Sequence, residues 1–415
     1  ALMHTLFEED FVDPGRLAGV LDGLETLREA AAAYTPEAAA EHTGIEAGNI
    51  RQLARDFASA ERAVCYGRMG VSTQTFGGLC QWLVNVLNIL TGNLDRPGGA
   101  MFTSPAFDYL SFGRSGVFGN RRTRVRGLPG YSGEFPVAAL AGEILTPGEG
   151  QIRAMVTIAG NPVLSTPNGR RLDEAFEDLD FKVAVDIYIN ETTRHADIIL
   201  PPTCGLETEH YDLIFHLLAV RNTARYSPPL FEKEPEQRHD WQIFQGLTEA
   251  LTGKPGDGIA PAFMLDFALR SGPYGKEGMS LDYLREHPHG VDLGPLQPCL
   301  PDRLFTENKR IDLAPDLYLG DLDRLQAASQ NGESDFPLHL IGRRHLRSNN
   351  SWMHNAHRLV KGRERCTLLI HPRDAEALGV TDGAEVTVRS RTGAVRVKAE
   401  VSDEIMPGVV SIPHG

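Results

Sequence analysis

Between residues 154 and 200 short apolar runs alternate with one polar, helix-spaced stretch, and this alternation constrains the fold most. Ala154 to Ala159 and Phe181 to Ile187 read as strands and Arg170 to Asp178 as a helix. Ile198-Ile199-Leu200 reads as one more strand, stopped by Pro201-Pro202. Strands alternating with helices make an open α/β domain with a parallel sheet. The same logic appears earlier. Ala63-Val64-Cys65-Tyr66 reads as a short buried strand running into Gly67-Arg68-Met69-Gly70. A helix follows with Leu79, Trp82, Leu83, Val86, Leu87 and Leu90 on its inner face, closed by Gly92.

Around this core the pattern changes twice. Leu17 to Leu27 and Ile50 to Phe57 carry helical apolar stripes, and Thr35-Pro36-Glu37 resembles a helix start. Residues 102 to 150 are rich in Gly, Arg and aromatics without periodicity, and read as a long functional loop. Residues 227 to 335 show one clear helix, Trp241 to Leu251, among Pro- and Gly-rich connections. Thereafter Leu338 to Ile341, Thr367 to Ile370, Glu385 to Ser390 and Val395 to Val401 are β-rich. Thr392-Gly393 suits a hairpin turn, and Pro372 to Leu378 is the one helix there. The expected division is 1–150, 151–260, a connecting segment 261–334, and a small β-barrel domain at 335–415.

Composition removes several classes. Against 41 Lys and Arg stand 55 Asp and Glu, a net charge of −14, which argues against nucleic acid or an anionic membrane surface as partner. No apolar run reaches the ~18 residues of a membrane span. The five cysteines form no CxxC, so no zinc knuckle or CxxC-type cluster is encoded. They fit a reducing, cytoplasmic compartment as small buried hydrophobes. Ala1 opens inside an apolar helical pattern and Ile412-Pro413 closes on a strand pattern, so both ends read as cut.

Four segments carry candidate chemistry. Gly67 to Gln74 lies between strand and helix, where backbone N–H groups can face an anion, although a tight turn accounts for the same glycines. Gly160-Asn161-Pro162 follows a strand at the end where open α/β sheets bind ligands. Asn161 offers an amide able to read a base or pterin edge, and an Asn-Pro turn reads equally well. Asp186, with Asn190, Glu191 and Thr192 in the next turn, is placed either to read a ribose or base edge or to start a capped helix. Gly342 to Trp352, with Arg343, Arg344, His345 and Arg347, is the densest basic stretch and suits a pyrophosphate. His195 and Asp197 stand two apart, a spacing that does not pair on a helix, and read as structural. Arg121, Arg122, Arg124 and Arg126 read as solvated loop charge or as an attractor for a small anion. His345, His354, His357 and His371 lack a carboxylate or cysteine to complete a metal set, so no metal ligand and no catalytic residue is assigned. GxSxG and GxxxxGK[ST] are absent, which excludes nucleophile-elbow hydrolases and P-loop enzymes.

Six blocks in order, RMGVSTQTFGG, LNILTGNLDRPGGAMF, IAGNPVLSTPN, DIYINETTRHADIILPP, GRRHLRSNNSWMHN and His371 to Gly415, resemble the molybdopterin oxidoreductases of the dimethyl sulfoxide reductase superfamily. The resemblance implies incomplete Rossmann-like doubly wound α/β domains followed by a C-terminal double-psi-type β-barrel. It implies bis(molybdopterin guanine dinucleotide) with molybdenum or tungsten as cofactor. Met69, Gly70 and Gln74 would lie along its channel, and Gly160, Asn161 and Pro162 would face one dinucleotide. Asp186 and Asn190 would read its guanine. Arg343, Arg344 and His345 would hold pyrophosphate or pterin, with Ser348, Asn349 and Trp352 nearby. The implied reaction is oxygen-atom or hydride transfer on a small-molecule substrate, as in formate dehydrogenase or nitrate reductase catalytic subunits. Electrons would leave to an electron-transfer protein or subunit. The family's four-cysteine domain, with its four-iron four-sulfur cluster, and the segment with the metal ligand have no counterpart here. By this resemblance the chain is a C-terminal fragment, inactive by itself and holding no cofactor. After Pro202 the family's Gly-Thr stretch with an Arg is replaced by Glu207 to Asp212, with Arg221-Asn222 as a stand-in. A pterin-free structural homologue, the scaffold subunit of a respiratory complex, is the rival reading.

Overall fold

Helix α1 (Gly77–Leu90) realises the apolar stripe read at 79–90, with Leu79, Trp82, Val86 and Leu90 buried. Gly92 turns the chain into the left-handed region at φ +64°, and Asn93 N–H returns to Asn88 O at 2.7 Å. The strand expected at Ala63–Tyr66 does not form: Val64 and Tyr66 are exposed. Cys65 instead donates its N–H to Asn88 Oδ1 and accepts from Asn88 Nδ2, both at 2.8 Å. A side-chain amide thus copies one rung of a strand ladder, so the backbone is satisfied without a neighbouring strand. The Leu17–Leu27 stripe is also split, into a 3₁₀ turn at Gly15–Val20 and a helix at Leu24–Ala32. Helices Pro36–Thr43 and Ala47–Ser59 form as patterned, and Thr35 Oγ1 caps the first by accepting from Ala38 N–H at 3.2 Å.

This computed structural model describes residues 1–112, 116–330 and 335–414. Residues 113–115 of the expected long loop, 331–334 of the connecting segment and Gly415 lie outside the described residues. The chain divides into two compact units, Ala1–Tyr66 with Gln81–Leu319, and Gly67–Cys80 with Gly320–Gly415.

In the first unit the stretch read as an unstructured loop contains a hairpin, β1 (Phe118–Arg122) with β2 (Pro129–Tyr131), and helix α2 (Leu140–Leu145). Elements this short show no period in the sequence, which is why the expectation failed. Strand β3 (Ala154–Ile158), helix α3 (Gly169–Glu177), strand β4 (Phe181–Val185) and strand β5 (Ile198–Ile199) follow where expected. The strands form a parallel sheet in the order β3-β4-β5. Helices α2 and α3 cover one face through Ile144, Leu172, Ala175, Phe176 and Leu179, with Met155 from β3 packed on them. On β3 the other face is open: Val156 and Ile158 are 48% and 53% exposed.

The connecting region is more helical than its sequence showed. Besides the expected helix (Asp240–Thr252) it holds Pro261–Ser271, Leu281–Glu286 and α4 (Asp316–Gln330). Phe263, Met264 and Phe267 break the amphipathic pattern of Pro261–Ser271 by facing outward, while Leu269 is fully buried. Leu269 packs with Leu281, Leu284, Ala224 and Tyr226 in a second core.

In the second unit β6 (His339–Arg343), β7 (Thr367–Ile370), β8 (Glu385–Arg389), β9 (Ala394–Val401) and β10 (Val409–Pro413) form one mixed sheet in the order β6-β10-β7-β9-β8. Ser390 N–H closes the β8–β9 hairpin on Gly393 O at 2.8 Å, the turn expected at Thr392-Gly393. No cysteine is buried; Cys204 and Cys366 are exposed and the other three half-buried, contrary to the expectation of buried hydrophobes. Among the described residues no helix is long and apolar enough to cross a membrane.

Candidate functional site

Strands β3 and β4 end in register, Ile158 beside Val185, so the two loops that follow leave the sheet from one edge. Ala159 closes β3 in a left-handed conformation at φ +46°, with its N–H on Val185 O at 2.9 Å. Strain of this kind on a non-glycine residue is characteristic of functional loops. Pro162 then opens a one-turn helix, Pro162–Ser165. Asn161 is spent on the neighbouring loop: its Nδ2 donates to Glu191 Oε2 at 2.6 Å and its Oδ1 accepts from Thr192 Oγ1 at 2.8 Å. The Asn161 amide, followed by Glu191's own backbone, holds the Glu191 carboxyl below its usual range. Asp186 Oδ1 accepts from the N–H groups of Ile187 and Tyr188 at 2.7 and 3.1 Å. Its Oδ2 receives only a long 3.4 Å contact from Asn190 Nδ2. The edge therefore presents an anionic acceptor beside the exposed side chains of Ile187, Tyr188 and Ile189. Acceptors next to apolar surface suit a flat heterocycle with N–H groups on its edge, and the residues fit a guanine. Glu191 and Thr192 read in sequence only as loop polars; their link to Asn161 depends on strands that pair 27 residues apart.

Beneath these loops, His195 pairs with Asp173, not with Asp197. His195 Nε2 lies 2.6 Å from Asp173 Oδ1, and Arg194 donates to both Asp173 oxygens at 2.7 and 2.6 Å. Asp197 accepts from Lys182 N–H at 2.7 Å. The Arg194 and His195 hydrogen bonds hold the Asp173 carboxyl below its ordinary value. A carboxylate depressed in the folded state stabilises fully above its unfolded value, and loses that contribution as pH falls through the folded one. Asp173→Asn is accordingly expected to flatten the acid limb of a stability–pH curve below about pH 4, read by denaturant midpoints; an unchanged limb would refute the assignment.

In the second unit, Met69 lies in the one-turn helix Met69–Ser72 and is exposed, and Gln74 Nε2 donates to Gly70 O at 3.1 Å. A Cβ on Gly70 or on Gly160 would meet nothing closer than 3.5 Å, so neither glycine is required by crowding. The half-buried Arg343 side chain is engaged with its own sheet. Its guanidinium donates to Ser411 O, and to Thr367 O and Oγ1 at 2.8 Å each, and burial lowers its pKa. These bonds tie β6 to β7 and β10. Arg344 and Arg347 are exposed, with His345 Nδ1 accepting from Arg347 N–H at 3.1 Å. Asn349 and Asn350 take left-handed turns, Ser348 Oγ meets His354 Nε2 at 3.1 Å, and Trp352 is exposed. Among the described residues no group of histidines, cysteines and carboxylates could hold a metal.

A further feature escaped sequence reasoning. A cleft of about 610 Å³ in the first unit is lined by Phe102, Ser111, Asn222, Cys299, Arg303 and others. Arg303 grips Asp108 with two bonds at 2.7 and 2.9 Å. Burial pushes the Asp108 carboxyl up, but Arg303 and Ser111 outweigh it and hold it low. The pair joins residues 195 apart, beyond any sequence pattern. Arg221, the candidate stand-in, is itself paired with Asp292 at 2.7 Å.

Two family models match the chain. Residues 29–250 match the family model described as molybdopterin oxidoreductase, and 338–415 match the molydopterin dinucleotide binding domain. The chain belongs to the molybdopterin oxidoreductase family, within the dimethyl sulfoxide reductase superfamily. It is 26% identical to the probable oxidoreductase YoaE of Bacillus subtilis, over 99% of this chain and 59% of that protein. It is 25% identical to the F420-dependent formate dehydrogenase subunit alpha of Methanocaldococcus jannaschii, over 100% of this chain and 62% of that one. To the dimethyl sulfoxide/trimethylamine N-oxide reductase of Cereibacter sphaeroides it is 25% identical, over 100% and 57%. The chain thus spans about three fifths of the length of these relatives. Acetylene hydratase from Pelobacter acetylenicus shares the fold, with a TM-score of 0.74 at 18% identity, covering 100% of this chain and 62% of that one.

Proposed function

We propose that this chain is the C-terminal part of a molybdenum or tungsten bis(molybdopterin guanine dinucleotide) oxidoreductase that works on a small-molecule substrate. The observation that carries the reading is the pair of joined strand-end loops, Ala159–Pro162 and Asp186–Thr192, with Asp186 Oδ2 holding a single long contact from Asn190 at 3.4 Å among the described residues. In this reading Asp186 accepts from guanine N–H groups and Asn190 donates beside it. Gly160, Asn161 and Pro162 shape the wall that faces the nucleotide. In the second unit Arg343, Arg344 and His345 hold pyrophosphate or pterin, with Ser348, Asn349 and Trp352 nearby, and Met69, Gly70 and Gln74 lie along the cofactor channel. Residues 1–150 and 151–260 are parts of Rossmann-like domains, 261–334 connects them onward, and 335–415 forms a double-psi-type barrel. When bound, the metal centre supplies oxygen-atom or hydride transfer. This chain's residues bind and orient the nucleotide tails that fix it. A metal ligand and a four-iron four-sulfur cluster come from sequence outside these 415 residues. Electrons pass to a partner protein or subunit, in the cytoplasm.

Metal and nucleotide analysis tests this. The product of the complete reading frame, purified without oxygen, is expected to carry molybdenum or tungsten together with acid-releasable guanine nucleotide. Asp186→Ala is expected to lower the nucleotide retained while leaving the circular dichroism spectrum intact. The chain alone is expected to hold no metal and to turn over neither formate nor nitrate. Stoichiometric molybdenum on the chain alone would overturn its status as a part. A complete product free of metal and nucleotide would overturn the reading altogether, in favour of a pterin-free scaffold.

A further inference from the structure

Helices α2 and α3 and the β1–β2 turn enclose a second recess in the first unit, with a volume of about 200 Å³. Its lining includes the apolar residues Val125 and Leu172 and the polar residues Thr166, Asn168, Arg126 and Arg171. We propose that this recess binds a small tetrahedral oxyanion, as free phosphate or as the phosphate end of a monoester.

Charge is the first reason. Both ionisable residues in the lining are arginines and no carboxylate lines it, in a chain whose net charge is −14. Several arginines elsewhere in this unit are matched by carboxylates, among them Arg194 by Asp173, Arg221 by Asp292, Arg303 by Asp108 and Arg310 by Asp22. Among the described residues Arg171 has no such partner, and Arg126 makes one long contact, 3.4 Å to Ala138 O. Glu143, next to the lining residue Gly142, is already committed. Its Oε1 accepts from Val125 N–H at 2.8 Å, and Arg124 lies 3.5 Å from Oε2. Both residues are exposed at the rim of one recess, and a dianion there would take up the paired donors of two guanidiniums at once.

Order is the second reason. Arg126 sits in a turn closed by Gly127 N–H on Thr123 O at 3.0 Å and by Leu128 N–H on Thr123 Oγ1 at 2.9 Å. Arg171 lies in the first turn of α3, whose inner residues Leu172, Ala175 and Phe176 are anchored in the core. Both cations therefore rise from fixed backbone, which lowers the entropy cost of closing on a ligand. The first turn of α3 carries no acidic side chain and Asn168 makes no side-chain cap bond, so the helix field adds in the same sense. The recess is smaller than the ~300 Å³ at which pockets for drug-sized ligands begin, which selects a compact ion or a short monoester.

Phenylglyoxal labelling read by peptide mass spectrometry tests the proposal directly, with Arg170 as an internal control that is exposed but outside the lining. Inorganic phosphate is expected to protect Arg126 and Arg171 and to leave Arg170 reactive. In calorimetric titrations with inorganic phosphate, Arg126→Gln and Arg171→Gln are each expected to weaken binding by about tenfold or more. Arg170→Gln, which removes the same charge, is expected to leave it unchanged. Glycerol 2-phosphate binding at least as tightly as phosphate identifies a monoester as the ligand, and weaker binding identifies the free ion. Absence of protection, or equal weakening by Arg170→Gln, would overturn the proposal. Neither outcome depends on metal, nucleotide or turnover.

Discussion

Asp95→Ala is expected to cost the fold about 2–4 kcal/mol, as leaving two backbone donors without their buried acceptor does. Asp95 is fully buried. Its Oδ2 accepts from the backbone N–H groups of Cys299 and Leu300 at 2.8 and 2.7 Å and pairs with the Arg16 guanidinium. Arg16 in turn donates to Asp95 O at 2.9 Å and to Leu300 O. One carboxylate thus ties the turn after α1 to the segment leading to Arg303 and to the 3₁₀ turn near the N-terminus. Alanine would leave two N–H groups and a guanidinium without their acceptor. The φ of +56° at Asp95 lies in the left-handed region, which aspartate and asparagine tolerate better than alanine. Asp95→Asn keeps a residue type that tolerates this backbone and retains one oxygen acceptor, so it is expected to lose less. Denaturant midpoints of the two variants against the parent decide the matter. An alanine variant within about 1 kcal/mol of the parent would mean that water replaces the carboxylate and that the node is not a clamp.

Asp95 also marks where sequence reading stops. Its neighbours Gly92, Asn93, Pro97 and Gly98 announce a helix stop and a loop from local chemistry alone, and the structure has both. What the loop grips lies 204 residues away and leaves no periodic trace. The same division runs through the candidate site. The strand–helix–strand order of 154–199 was legible because β-branched runs and a 3.6-residue stripe are local properties, and so was Asp186 at a strand end. That Asn161 is occupied by Glu191 and Thr192, and that Arg343 faces its own sheet, follows from register and from a parallel β6–β10 pairing. The strand misread at Ala63–Tyr66 fails for a related reason: an asparagine side chain took the part of the missing neighbour. The alternation of apolar residues states that a segment prefers extension, and only tertiary partners state whether it is paired.

The second large effect is expected at Phe176→Ala, a loss of about 3–5 kcal/mol typical of emptying a well-packed aromatic site. Phe176 is 2% exposed and sits in the core that α2 and α3 lay against Met155 of the parallel sheet. It also meets the His195 ring edge-on, with centroids 6.1 Å apart. Because the ring supports both the helix carrying Asp173 and the histidine that Asp173 binds, its loss should loosen more than packing. The Asp173–Arg194–His195 cluster immediately follows the Asn190–Thr193 turn, and that turn holds Asn161 through Thr192. Hydrogen exchange separates this coupled outcome from simple destabilisation. In the variant, Val163 N–H, which donates to Thr192 Oγ1, and Thr193 N–H, which donates to Asn190 Oδ1, are expected to exchange faster through local opening. The buried backbone around Leu284, in the separate core it shares with Leu269 and Leu281, serves as the reference. Faster exchange at the loops with an unchanged reference would show that the strand-end site is held from below by one aromatic residue. Uniform acceleration across both would mean that Phe176 contributes to global stability alone, and that the loops are ordered by their own hydrogen bonds.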